Sequence, residues 1–221
     1  MTDPYPSLTV NLGSSPTTVD SAATYSVRVS PPYYPANAKL QITFPAEVEF
    51  VRSGVDIFNS VQNAFGLTIT SSRSSQVVTV EGVTSVAGTS SFEVFVLQAY
   101  NPSSEQPTSA FTVILLDSGN NQIHASTTQT YTATAAAITT ASVAPIVNTV
   151  GATTSYILKL TPVTNPPSDA KIKLTFPSDV EVTGTSACSS FSNLNSGASC
   201  ARTSNEIEIT NPFTTGYTHG S

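Results

Sequence analysis

The chain has 221 residues, enough for one large domain or two modest ones. Only 10% are charged, with eight Lys and Arg against 14 Asp and Glu, a net charge of −6 and a pI near 4.7. Cations so few and so scattered cannot neutralise a run of phosphates, which excludes nucleic acid as a partner, and the acidity opposes docking on an anionic membrane surface. Ser and Thr supply roughly three residues in ten, a bias that suits β-strands and surface sugars better than helices. No segment is apolar for long enough to cross a bilayer, and residues 1–30 lack the apolar core of a signal peptide. No Asn lies in an N-glycosylation sequon, because Asn101 is followed by Pro102; O-linked glycans stay open.

The first elements alternate. Leu8, Val10 and Leu12 share one face of a strand, and Tyr25, Val27 and Val29 share one face of the next. The turn Pro31-Pro32-Tyr33-Tyr34-Pro35 leads to Leu40, Ile42 and Phe44, and Pro45 ends that strand. Ile57, Phe58, Val61 and Phe65 recur near helical spacing, so a short helix or packed loop is expected there. GLTIT, QVVTVEG and SFEVFVLQAY read as three further strands. AFTVILL and the run from Gln122 to Thr132 close the unit, joined by the loop DSGNN, whose residues tolerate positive φ and mark a hairpin. Thr132–Pro145 reads as a small-residue transition.

The pattern then starts again. AKLQITFPAEVEF at Ala38–Phe50 returns as AKIKLTFPSDVEV at Ala170–Val182, with every apolar position kept apolar. Tyr156, Leu158 and Leu160 match Tyr25, Val27 and Val29; Ile207 and Ile209 match Val78 and Val80. The expected architecture is all-β, two tandem Ig-like antiparallel β-sandwich units spanning 1–137 and 138–221. No polar constellation is expected to repeat with the core. The second unit shows no counterpart of SFEVFVLQAY, AFTVILLD or the Gln122–Thr132 strand and reads as incomplete. Three explanations are open: a chain cut from a longer array, missing strands supplied by another molecule, or a smaller sandwich. For the second, the alternating segment Leu8, Val10, Leu12 is the candidate donor strand.

Chemistry-bearing residues are sparse. The histidines are His124 and His219, and no nucleophile elbow, P-loop or dinucleotide fingerprint occurs, so neither catalysis nor a cofactor is expected. The acidic pairs Glu47/Glu49 and Asp179/Glu181 fall short of the six to eight oxygens calcium takes, and Asp117–Asn121 is explained by hairpin chemistry. Cys188 and Cys200 lie close in a Ser/Asn/Gly-rich loop and read as a local disulfide, with two buried thiols as the alternative. A disulfide indicates an oxidising compartment. Tyr33 and Tyr34, held between prolines, are the candidate contact surface for a glycan or a partner. The competing reading puts one of them in the core.

Taken together, the strand ending T-F-P, the acidic-Val turn, the Cys-bearing Ser-rich loop, the strand ending Asn-Pro and the F-x-V-x-L-x-D strand resemble the tandem Ig-like repeats of very large cell-surface proteins of protists, notably ciliates. That resemblance implies an extracellular stalk, coat or fibre protein, whose partners are neighbouring repeats or further copies, with glycans possible. The rival expectation is a carbohydrate- or ligand-binding module using Tyr33 and Tyr34.

Overall fold

The computed structural model describes residues 8–64, 67–162, 166, 170–183 and 195–213, and they are all-β, with no helix among them. The chain splits into two compact units, Met1–Ala135 and Ala136–Ser221.

The first unit is an Ig-like sandwich of two antiparallel sheets. One has the order β1-β2-β9-β6, from β1 (Thr9–Ser15), β2 (Ala22–Ser30), β9 (Phe92–Tyr100) and β6 (Val61–Asn63). The other has the order β11-β10-β3-β8-β7, from β11 (Gln122–Gln129), β10 (Phe111–Leu116), β3 (Lys39–Thr43), β8 (Val77–Glu81) and β7 (Thr70–Ser74). A small hairpin, β4 (Val51–Arg52) with β5 (Val55–Asp56), lies beside them. Period-2 alternation decides which side chains go inside. Tyr25, Val27 and Val29 from β2 and Leu40 and Ile42 from β3 are fully buried. Each apolar side chain so buried stabilises the unit by about 1.5–3 kcal/mol. An aromatic cluster fills one end: Tyr25 meets Phe44 edge-on at 5.5 Å, and Phe44 meets Phe50 at 4.9 Å and Phe111 at 5.2 Å. The DSGNN loop is a hairpin, with Asn120 at φ 66° and the Asn121 N–H donating to the Asp117 carboxylate at 2.8 Å.

Of the two alternatives for Ile57–Phe65 the structure takes the packed loop and not the helix: β5 ends at Asp56, Phe58 meets Phe50 edge-on at 5.7 Å, and Val61 opens strand β6, while Phe65 lies outside the described residues. Three other expectations are corrected. GLTIT is not the strand; the ladder starts at Thr70 because the preceding backbone passes under Gly82, where a Cβ would sit 2.7 Å from the Thr68 carbonyl. Residues 138–145, expected as a transition, form strand β12. The supposed donor segment is not available either. Leu8 and Val10 are buried in their own unit, β1 pairs with β2 along its whole length, and the Leu8 N–H donates to the Ala125 carbonyl at 3.2 Å.

Among the described residues, the second unit holds a two-stranded sheet, β12 (Ile138–Pro145) with β13 (Tyr156–Pro162), and a three-stranded sheet of order β14-β16-β15, from β14 (Lys171–Thr175), β16 (Glu206–Thr210) and β15 (Ser199–Thr203).

Candidate functional site

Each described strand of the second unit corresponds to one of the first. Val143 faces Leu158 and Pro145 faces Tyr156, as Leu12 faces Val27 and Ser14 faces Tyr25. Ile172 faces Ile209 and Leu174 faces Ile207, as Leu40 faces Val80 and Ile42 faces Val78. Cys200 and Arg202 on β15 hold the places of Ser71 and Arg73 on β7. Tyr156 meets Phe176 edge-on at 5.1 Å, as Tyr25 meets Phe44.

A polar brace repeats as well, contrary to expectation. The N–H of Phe44 donates to the Gln76 carbonyl and that of Phe176 to the Asn205 carbonyl, each at 2.9 Å. The Gln76 side-chain amide donates to the Pro45 and Val48 carbonyls at 2.9 and 2.7 Å, and the shorter Asn205 amide reaches Pro177 at 3.4 Å. Ser75 and Ser204, just before these residues, both have positive φ. Sequence reading missed the brace because the intervening loop is shorter in the second copy and Gln and Asn do not look alike in a one-letter comparison.

What differs is the cover. In the first unit β2 is flanked by β1 and β9, and β3 by β8 and β10; among the described residues β13 pairs only with β12, and β14 only with β16. Tyr25 is 0% exposed and Tyr156 is 38% exposed. Leu158, Leu160, Ile172, Leu174 and Ile207 are all half-buried, where their first-unit counterparts are buried. The contrast is greatest in the loop after the first strand. Val19 is 8% exposed because the Thr134 carbonyl accepts its N–H at 2.8 Å and the Thr134 N–H donates back to Thr17 at 2.9 Å. Val150 stands in the same turn, followed by Gly151 at φ 75° as Val19 is followed by Asp20 at φ 61°, and it is 103% exposed. The candidate site is therefore the apolar face of the second unit's sheets, half-buried where the first unit's is buried. Exposed apolar area of this kind is a mark of a surface meant to be covered.

The other candidates are not brought together. Tyr34 is 9% exposed; its ring lies against Gly88 and meets Phe92 edge-on at 6.1 Å, and its backbone pairs with Gly88. Tyr33 is 50% exposed, and its carbonyl is 2.7 Å from His124 Nε2. One tyrosine is core and the other is surface, so the two form no stacking platform. Glu47 accepts from the Ser109 N–H and hydroxyl at 2.8 Å each, which holds its carboxyl below the usual range, while Glu49 pairs with Arg52. Among the described residues no group of three or more His, Cys, Asp or Glu could hold a metal ion. A shallow depression beside Phe50, Arg73 and Gln76 is small, and Arg73 within it pairs with Asp56 and lies over the rings of Phe50 and Phe58. Cys188 lies outside the described residues, and Cys200 is in a strand rather than a loop. His219 also lies outside them.

No protein-family model and no curated protein matches the sequence. Among solved structures, the chain is similar to a non-cellulosomal cohesin from the hyperthermophilic archaeon Archaeoglobus fulgidus, at 10% identity over 54% of this chain and 88% of that one, with a TM-score of 0.32. It is similar to a type II cohesin domain from the cellulosome of Acetivibrio cellulolyticus, at 9% identity over 57% and 91%, with a TM-score of 0.28. The type II cohesin dyad from the adaptor ScaA scaffoldin of the same organism aligns at 10% identity over 93% of this chain and 77% of that one, with a TM-score of 0.30.

Proposed function

We propose that this is an extracellular structural or adhesive protein of tandem Ig-like repeats, of the kind found in large protist surface proteins, and that it forms part of a coat, stalk or filament. The observation that carries this reading is the duplicate itself: strand pairing, turn brace and aromatic contact are kept in the second unit, while its apolar residues are more exposed than their first-unit counterparts. Selection that preserves a core but no catalytic constellation suits a spacer or an adhesive array better than an enzyme. The reading calls for no catalytic residue, no cofactor and no nucleic-acid partner. The Ser/Thr-rich, charge-poor surface and a Cys188–Cys200 disulfide would suit an oxidising exterior. Thiol labelling of the unreduced, unfolded protein should then find no free cysteine, and two reactive thiols would remove that support.

The array reading is tested by supplying the cover in cis. In a chimera, residues 82–135 follow Thr210, which is where they follow Glu81 in the first unit. The second unit's unfolding midpoint should rise towards that of the first. An unchanged midpoint would show that the short unit is complete as it stands and would overturn the reading.

A further inference from the structure

We infer that the outer face of the first unit's sheet β1-β2-β9-β6 binds a neutral glycan, in a trough where one equatorially substituted pyranose lies over Gly13 and Ser26 with its C–H face against the ring of Phe95. The inference goes beyond the array reading and does not depend on the second unit.

The pleat places the trough. Tyr25, Val27 and Val29 of β2 and Phe92, Val94 and Val96 of β9 are buried, so the residues between them point outward. The register aligns two outward rows across the three strands: Gly13, Ser26 and Phe95 in one, and Asn11, Arg28 and Glu93 in the next. Side chains stand perpendicular to a sheet, and two strand spacings put Phe95 about 10 Å from Gly13. The first row is therefore a floor with a wall. Gly13 brings no side chain, Ser26 brings a short one, and half-buried Phe95 stands beside them.

The strand itself gives no reason for Gly13. A glycine inside a strand weakens it and marks a bulge, a bend or the close approach of a ligand. The pairing of β1 with β2 runs from Thr9 to Ser15 without a register shift, and Gly13 does not have a positive φ. A Cβ there would stand 2.9 Å from Ser26 Oγ and begin to fill the trough.

The second row supplies polar contacts. Asn11 and Arg28 are exposed and Glu93 is half-buried, and no hydrogen bond or ion pair among the described residues uses their side chains. Planar amide, guanidinium and carboxylate groups can each pair with two adjacent hydroxyls. Arg28 faces Glu93 across the ladder, so their charges cancel and the row complements an uncharged ligand better than an anionic one. One ring beside a charged row does not make the contiguous apolar centre that a protein partner needs. A sugar with equatorial substituents has the matching character: C–H bonds on its faces and hydroxyls around its rim.

The probes are cellohexaose and chitohexaose, titrated to millimolar concentration into the full isotope-labelled chain and followed by amide NMR shifts. Saturable shifts at Gly13, Ser26, Arg28 and Phe95 are expected with at least one of the two. Phe95→Ala and Phe95→Leu should weaken that binding about tenfold and Phe95→Tyr should keep it. Gly13→Val should abolish it with Phe95 still in place, and the first unit's urea midpoint shows that each variant is folded. No saturable shift with either sugar would overturn the inference, as would shifts centred on Tyr33. A concentration-dependent dimer that Phe95→Ala dissolves, with no sugar bound, would make the face a protein contact and overturn it too.

Discussion

Asn101 joins three parts of the first unit. Its side-chain oxygen accepts from the buried Tyr25 hydroxyl, and its amide donates to the Pro16 and Thr18 carbonyls, each at 2.8 Å. Burial pushes the Tyr25 hydroxyl well above its ordinary pKa, with Tyr131 adding to the effect, so it stays a neutral donor at all ordinary pH. Asn101→Ala would orphan one donor and two acceptors and should cost on the order of 3 kcal/mol, read from the first unit's urea midpoint. A second test is electrostatic. The hydrogen bond from Lys171, together with the charges of Lys171 and Lys173, holds the Glu208 carboxyl below its ordinary value of 4.5. A depressed folded-state pKa means that the stabilisation is whole above 4.5 and is lost as the pH falls through the lower, folded value. Titration of Glu208 by carboxyl-carbon NMR should therefore give a midpoint below 4.5, and a midpoint at or above it would contradict the pairing. Neither site was fully legible in sequence. Asn101 was noticed as a spoiled sequon, and its real work depends on the loop at Pro16–Thr18 closing over it from far away in the chain.

At the scale of the element, periodicity located β2, β3, β8, β9 and β10 because half-buried strands must alternate, and the repeated T-F-P segment fixed β14 against β3. It failed where alternation weakens. β12 is made of small residues, Ala141, Ser142 and Ala144 among them, and only its register with β13 reveals it as the partner of β1. β7, TSSRS, carries no apolar alternation, since its inward contacts come from an arginine. The placement of β1 reverses one expectation outright. Removing residues 1–15 takes away Leu8 and Val10, both buried, and uncovers the edge of β2. Such a deletion should lower the first unit's unfolding free energy by several kcal/mol, on the order of 2 kcal/mol for each buried aliphatic lost, and its urea midpoint with it. A truncated chain with an unchanged midpoint would show that β1 is dispensable and restore it as a candidate for donation.

Over the whole molecule, the two units share a fold and differ in how much of it is covered. The same apolar letters are buried in one and half-buried in the other, so local composition alone could not reveal the difference; it shows in the strands that have no counterpart among the described residues. Opening free energy follows the number of buried apolar contacts. Hydrogen exchange should therefore be faster at β13 and β14 than at β2 and β3, and urea should melt the second unit first. A single coincident transition with uniform protection would show the units to be equally complete.

The return of Thr134 to the loop at Thr17–Val19 has a mechanical consequence. Leu8 enters at one end of β1, and the chain leaves at Thr134, next to the loop at β1's other end, where Thr18 and Thr134 lie parallel. A pull on Leu8 and Ala135 drags the two segments past each other along their length instead of peeling them apart. The ladder of β1 with β2 and the two bonds between Val19, Thr134 and Thr17 then take the load together, so the first unit should yield at a higher force than it would if its ends left from the same side.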